Sequence, residues 1–346
     1  MTSKPGAAMF DPVRVGVIGT GRIGTSHASL LRAEVPGARL VAVADVRPAA
    51  AAALAAGLHC RAAASPAELM ADEEVEAVVI TASSTAHADL IVAAAMAGKA
   101  VFCEKPAGTT LEEVDRGIAA AQAAKVPLQV GFNRRFASDF ADARRLLDEG
   151  AVGTPQLMRS VTRDPGLTDP GAVLPGTIFT QTLIHDFDTL LWLNPGAEVV
   201  TVHATADALV APDFKDSGLL DTAVVVLTFD NGAIAVAEAS FSATYGYDVR
   251  AEVFGSGGMV SMGGSAPSSL RLFDGRGQLA VTARGDVQLM RGSYVGELSA
   301  FADAVRAGTH PLVNGHDARR ALQVALACID SQASGRTVRL RPVDEQ

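Results

Sequence analysis

Clustered positive charge is missing from this chain. Its 346 residues carry 29 Lys plus Arg against 38 Asp plus Glu, a net charge of −9 at pH 7. Nucleic-acid binding rests on clustered cations that neutralise phosphates, so no nucleic-acid partner is expected. A small phosphate-bearing cofactor is not excluded, because backbone amides can hold one. Cysteine is scarce as well: Cys60, Cys103 and Cys328 lie far apart. The odd count gives no disulfide framework, and no CxxC or Cys/His spacing offers a metal site. A reducing, cytoplasmic setting fits that usage. The longest apolar runs are Ala-rich and broken by charge, so no membrane span is expected. Residues 1–12 hold Gly, Pro and Ser without a signal-peptide core and read as a disordered leader.

What remains is apolar and long enough for two cores. Hydrophobic residues make up 49% of the chain, and the length suggests two domains. The first part alternates short apolar strands with helical patterns. Strands are expected at Val13–Ile18, 40–45, 75–81, Ala100–Cys103 and Leu128–Val130. Helices are expected at 23–34, 48–56, 86–97 and from Thr110 to about Ala124. Ser65-Pro66-Ala67-Glu68 starts another, with a cap, a Pro at the first helical position and a Glu at the third. This alternation predicts a doubly wound parallel sheet over 13–132. From 133 to 346 the pattern changes to a helix near 138–149, a Pro/Gly-rich loop at 164–176, and a helix carrying Ile184, Phe187, Leu190 and Leu191. A strand is expected at 156–163, before that loop, and strands follow the helix in close succession at 198–205, 221–229, 233–241, 248–254 and 259–262. Asp230-Asn231-Gly232 marks a hairpin. That predicts an α+β domain with a large, mostly antiparallel open sheet, closed by helices near 296–307 and 316–333.

The first strand runs into Gly19-Thr20-Gly21-Arg22-Ile23-Gly24. A GxGxxG at a strand-to-helix turn allows the tight turn, the backbone approach to a pyrophosphate, and close helix–strand packing. The phosphates would rest on the helix N-terminus. Asp45 closes the second strand 21 residues after Gly24, where a carboxylate can accept from the adenosine ribose hydroxyls. A Rossmann domain binding NAD is the expectation, because Asp45 repels a 2′-phosphate; a glycine turn in a flavodoxin-like domain is the alternative. Arg47 either serves the adenosine end or is a solvated surface arginine.

Taken together, these features resemble the Gfo/Idh/MocA oxidoreductase family, from Val13 to about Leu340. The matches are the glycine turn, Asp45, Thr81-Ala82-Ser83-Ser84 with His87, Glu104-Lys105-Pro106, Gly131-Phe132-Asn133-Arg134-Arg135-Phe136, and Ile184-His185-Asp186-Phe187-Asp188. Tyr245-Gly246-Tyr247-Asp248 and Val253-Phe254-Gly255-Ser256 look like the inositol 2-dehydrogenase branch. The resemblance implies an NAD-dependent dehydrogenase that oxidises a secondary hydroxyl of a cyclitol or pyranose. Lys105 is then the ammonium beside the reacting hydroxyl, and His185 the general base, suited by a pKa near neutrality. Thr81, Ser83, Ser84, His87 and Glu104 are implied to border the cofactor, Glu104 and Cys103 in positional roles, and Pro106 to follow a cis bond. Arg134, Asp164, Tyr245 and Tyr247 match positions lining the sugar pocket. His27, His59, His203, His310 and His316 read as surface or structural.

One position departs from the resemblance. Many members carry Asp four residues before the histidine; here Gln181 stands there. Residues i and i+4 share a helix face, so Gln181 is expected to face the same pocket without a charge. That leaves open a tuned enzyme, a poor one, or an NAD-binding sensor or scaffold. A sheet face without helix cover predicts a homodimer or homotetramer through the C-terminal sheet.

Overall fold

The structure is a computed structural model that describes residues 11–275 and 277–340. Residues 1–10 of the expected leader lie outside the described residues. The chain divides into two compact units. The first takes the chain to Gly108, Glu112–Gly131 and Val295–Gly315; the second takes Thr109–Leu111, Phe132–Tyr294 and the residues from His316 onward.

The first unit is a six-stranded parallel sheet. Its elements in order are β1 (Val13–Ile18), α1 (Arg22–Ala33), β2 (Ala38–Ala44), α2 (Pro48–Leu58), β3 (Arg61–Ala62), α3 (Pro66–Ala71), β4 (Ala77–Ile80), α4 (Ser84–Met96), β5 (Ala100–Cys103), α5 (Leu111–Ala124) and β6 (Leu128–Val130). The strand order is β3-β2-β1-β4-β5-β6, so the order reverses between β1 and β4. Both sheet faces are covered, and β4 and β5 are accordingly apolar and buried at every position. Ser65 caps α3 by accepting from the Glu68 amide at 3.1 Å, as its sequence predicts. The two-residue strand β3 carries too little pattern to read in advance.

The second unit contains α6 (Ser138–Asp148), β7 (Pro155–Arg163), a π-helical segment over Ile178–Leu183, α7 (Ile184–Trp192), β8 (Val199–Asp207), β9 (Thr222–Phe229), β10 (Ile234–Ser240), β11 (Asp248–Gly255), β12 (Gly258–Gly264), the hairpin β13 (Arg271–Asp274) and β14 (Gly277–Ala280), and α8 (Asp286–Leu289). Next come α9 (Arg291–Ala307), α10 (Gly315–Ser334) and β15 (Val338–Arg339). The large sheet runs β12-β11-β7-β10-β9-β8-β15. Its neighbours are antiparallel except β7 and β10, which are parallel. Strict alternation sends Val225, Leu227, Ala235, Ala237 and Ala239 inward. The alanines of β10 let the π segment and α7 lie close on the sheet.

One boundary differs from the sequence reading. Residues 295–315, expected in the C-terminal domain, pack in the first unit. Phe301 of α9 meets Phe102 of β5 edge-to-face with centroids 5.9 Å apart. The Gln129 side-chain amide donates to the Glu297 main-chain oxygen at 2.8 Å, and the Val130 amide to Val313 O at 3.2 Å. These partners are more than 150 residues apart in sequence, so no local pattern announces them.

Two buried ion pairs anchor α7. A short 3₁₀ turn, Asn133–Phe136, supplies Arg134 and Arg135. Arg135 grips Asp188 with two nitrogens, Nε to Oδ2 at 2.9 Å and Nη2 to Oδ1 at 2.5 Å, and reaches Asp317 at the start of α10 at 3.1 Å. Burial alone would lower its pKa, but Asp188 and Asp317 outweigh that and hold it charged. Removing one member of such a pair leaves a buried charge unmatched, at a cost of about 3–5 kcal/mol. Asp188→Ala is therefore expected to lose roughly that much in urea unfolding, and a change below about 1 kcal/mol would contradict a matched pair.

Candidate active site

The site residues of the first unit gather at one edge of its sheet. The glycine turn follows β1, Asp45 follows β2, Thr81 follows β4, and Glu104 and Lys105 follow β5. All lie at the carboxyl ends of parallel strands beside the point where strand order reverses, where open α/β sheets bind ligands.

Each glycine of the turn has its own physical reason. Gly19 has φ +98°, and an added Cβ would lie 2.7 Å from Thr81 and Ala82 main-chain atoms. At Gly24 the Cβ would meet Gly19 O at 2.0 Å, so helix and strand touch there. At Gly21 nothing lies within 4 Å; the space over this residue is open. Gly21 is also the N-cap of α1, and no side chain caps that turn. Two glycines closed by packing and one open over a helix N-terminus fit a dinucleotide diphosphate, with Arg22 and Ile23 in the first helical turn beneath it.

Asp45 is buried, and its carboxylate is already oriented. Oδ2 accepts from the Thr20 amide at 2.7 Å and its hydroxyl at 2.9 Å. Oδ1 accepts from the Arg47 amide at 2.9 Å and Nε at 3.4 Å. Burial raises its pKa, but these bonds outweigh burial and keep it below the usual carboxylate range. The Arg47 side chain is 71% exposed, so its packing contribution is small.

Around β4 and β5 the side chains tie loops together. Thr81 Oγ1 is within hydrogen-bonding distance of Ile18 O at 3.1 Å and Gly19 O at 2.8 Å. Ser83 is the N-cap of α4 without a side-chain cap bond, and Ser84 opens that helix. His87 differs from expectation. It is buried, with Nδ1 2.7 Å from Pro106 O and Nε2 3.0 Å from Ala82 O. Both ring nitrogens face main-chain carbonyls, so the ring joins two loops rather than presenting a nitrogen to the cofactor. Lys105 is partly exposed, and the Lys105–Pro106 bond is cis. The Lys105 amide donates to Glu104 Oε2 at 3.2 Å, and Glu104 Oε1 lies 2.7 Å from His27 Nε2.

In the second unit His185 stands in the first turn of α7, immediately before the anchored Asp186. Its ring meets Phe132 edge-to-face, with centroids 5.9 Å apart. Arg134 was expected to line the sugar pocket, but it is buried and committed. Nη1 donates to Asp186 Oδ1 at 2.8 Å and Nη2 to Thr162 Oγ1 at 2.6 Å. Asp186 also accepts from the Ser160 and Thr162 hydroxyls at 2.6 and 2.7 Å. Arg134 therefore sets the attitude of α7. Tyr247 is pushed to a higher pKa by burial and by Asp164, with Asp186 and Asp286 adding to the shift and Arg134 opposing it. Its phenol stays a neutral hydroxyl in that company. Tyr245 is half exposed and donates to Asp248 Oδ2 at 2.8 Å.

Gln181 lies inside the π segment. A π turn carries an extra residue per turn, so the i, i+4 stacking expected of an α-helix does not describe Gln181 and His185. The helical period alone does not show a π turn.

An NAD-type glycine turn on a doubly wound parallel sheet, joined to an open-sheet domain, defines a nicotinamide-dependent oxidoreductase. The chain belongs to the Gfo/Idh/MocA oxidoreductase family, whose NAD-binding Rossmann domain matches residues 13–132 and whose C-terminal domain matches 140–261. It is 38% identical to myo-inositol 2-dehydrogenase of Thermotoga maritima over 96% of this chain and 99% of that protein. It is 35% identical to scyllo-inositol 2-dehydrogenase (NAD(+)) of Bacillus subtilis, over 96% and 97% of the two chains. The crystal structure of scyllo-inositol dehydrogenase from Lactobacillus casei, with bound NAD(H) and scyllo-inositol, superposes with a TM-score of 0.90 at 25% identity. That superposition covers 95% of this chain and 99% of that one.

A hydrogen bond to a charged group contributes about 1.5–3 kcal/mol. Asp45→Ser is thus expected to weaken NAD binding about tenfold or more and to narrow the margin over NADP, as read by fluorescence titration of both reduced nucleotides. An unchanged NAD/NADP ratio would remove Asp45 from cofactor selection.

Proposed function

We propose that the protein oxidises a secondary hydroxyl of an inositol-class cyclitol to the ketone, with NAD+ as hydride acceptor. The observation that carries this reading is the near full-length likeness to proteins named inositol 2-dehydrogenases. Bound NAD+ supplies the acceptor for the hydride from the carbinol carbon. His185 takes the hydroxyl proton, a task for which imidazole is suited near neutral pH. The Lys105 ammonium stabilises the alkoxide that develops on that oxygen. Asp164 and Tyr247 offer an acceptor and a neutral hydroxyl to the ring hydroxyls, which are costly to leave unpaired.

Gln181 supplies hydrogen-bonding capacity without charge. Asp186 cannot stand in for a missing carboxylate as the orienter of His185, because Arg134, Ser160 and Thr162 already occupy it.

The same reading takes the open face of the large sheet as the contact between copies in a dimer or tetramer. Met259, Phe254, Leu157 and Ile234 pair in register across four strands, and each is 45–56% exposed. A contiguous apolar row of that kind marks an interface. The three cysteines are unpaired, and no helix among the described residues is long and apolar enough to cross a membrane; both support a cytoplasmic setting.

Purified protein with NAD+ and a panel of inositols is expected to generate NADH. His185→Ala and Lys105→Met are each expected to lower kcat by about 10²-fold or more while NADH still binds. Wild-type protein that binds NADH yet oxidises no cyclitol or sugar would refute the activity. For the assembly, Leu157→Glu with Phe254→Glu is expected to reduce the light-scattering mass to that of one chain. A wild-type monomer would refute the interface.

A further inference from the structure

Glu297 of α9 is fully buried, and neither of its carboxyl oxygens has a hydrogen-bond partner. It lies in the first unit beside His27 and Glu104. One ligating atom from each of the three residues lies within 4.8 Å of the others. The groups around this cluster come from several elements. α1 brings His27, which packs edge-on against Phe102 of β5. The end of β5 brings Cys103, Glu104 and Lys105, α4 brings the charge of His87, and β6 brings Gln129. Gln129 gives its amide nitrogen to the main chain of Glu297, not to its carboxyl.

Two carboxyl groups this close, away from water, do not both ionise. Glu104 has His27 at 2.7 Å, the Lys105 amide at 3.2 Å, and the Lys105 and His87 charges nearby. Glu297 has no such partner, so the charge belongs on Glu104 and the proton on Glu297. Burial pulls Glu104 upward, but His27, Lys105 and His87 outweigh it and leave its pKa lowered. Burial and the charge of Glu104 push the Glu297 carboxyl well above the usual range. A divalent cation is the competing occupant, but the closed His27–Glu104 bond leaves no gap between those two ligating atoms for an ion.

We propose that His27, Glu104 and Glu297 form a buried device that positions Lys105, with Glu104 as the carboxylate that pins the lysine main chain and Glu297 as its proton-bearing neighbour. This deepens the function proposed above and rests on the role given there to Lys105. His27 fixes the Glu104 carboxylate from behind, and Gly131 leaves it room: a Cβ there would lie 3.1 Å from its carboxyl. Ionising Glu297 would set a second negative charge against Glu104 and loosen its hold.

The test has arms that do not need turnover. A protonated carboxyl gives an infrared C=O stretch that carboxylates lack; Glu297→Gln is expected to remove one such band at pH 7. A group whose folded pKa is raised keeps its proton where the unfolded chain releases it. Its contribution therefore weakens as pH rises above the ordinary Glu value. The Tm of Glu297→Gln is accordingly expected to exceed wild type by a margin that grows about 2 °C per pH unit from pH 5 to 8. Glu104→Gln removes the charge that favours the Lys105 ammonium. The ¹³C titration of dimethylated Lys105 is expected to move to lower pH in this variant, with Glu104→Asp partly restoring it.

In turnover, Glu104→Gln is expected to lower kcat about tenfold with little change in KM, and to move the alkaline limb of the pH profile the same way. An unchanged infrared band, a pH-independent Tm margin, an unmoved Lys105 titration, or one divalent ion per chain in purified protein would each overturn the proposal. Absence of cyclitol oxidation by wild type would sink the proposed function instead, and the infrared, melting and titration arms would still decide this one.

Discussion

Asp186 and Asp188 sit within one turn of α7, both essentially inaccessible to water, and two consecutive arginines of a 3₁₀ turn meet them one to one. The position of His185 depends on this double match. A carboxylate in that setting without its guanidinium would either take a proton or pull the helix toward water, and the histidine next to Asp186 would move with it. The bidentate fork of Arg135 and the hydroxyls of Ser160 and Thr162 around Asp186 fix orientation as well as charge. An imidazole with the role proposed for His185 would need that kind of support.

The cofactor half uses a different constraint, the contact of backbone with backbone. Gly24 lies so close to the Gly19 carbonyl that any side chain would collide, and Thr81 closes the same turn through its hydroxyl. The helix N-terminus is thereby brought up to the sheet edge with its amides directed outward. The turn offers a diphosphate its site by geometry alone, which is why a protein of net charge −9 needs no basic patch there.

Features that local chemistry dictates were legible in the sequence. The glycine turn, the Ser65 cap and the apolar strands β1, β5 and β6 each depend on a few consecutive residues, and each stands where the pattern puts it. The alternation in β9 and β10 is equally local, so the open sheet followed from it. The features that escaped depend on partners far along the chain or on geometry without a sequence period. Arg134 looks like a pocket residue until Asp186 is placed beside it, because a string of residues does not reveal which charge is buried. His87 looks like a helix-start residue until the Ala82 and Pro106 carbonyls close on both its nitrogens. Residues 295–315 join the first unit through Phe301, Glu297 and Val313, whose partners lie in β5 and β6. Gln181 was placed by α-helical arithmetic, and the π segment changes the arithmetic.

The two halves answer the cost of a buried carboxylate in opposite ways, and the difference places the pH sensitivity. Arginine does not lose its proton in the range where proteins fold, so Arg134 and Arg135 stay charged opposite Asp186 and Asp188, although burial still raises the Asp188 carboxyl. Glu104 faces instead the His27 ring and the Lys105 amide, and Glu297 is proposed to keep its own proton. On the proposal made for Glu297, a change of pH is felt beside Lys105 through that carboxyl. The histidine of α7 is thus held beside arginine–carboxylate pairs, and Lys105 beside two carboxyls that, on the proposal above, share one proton.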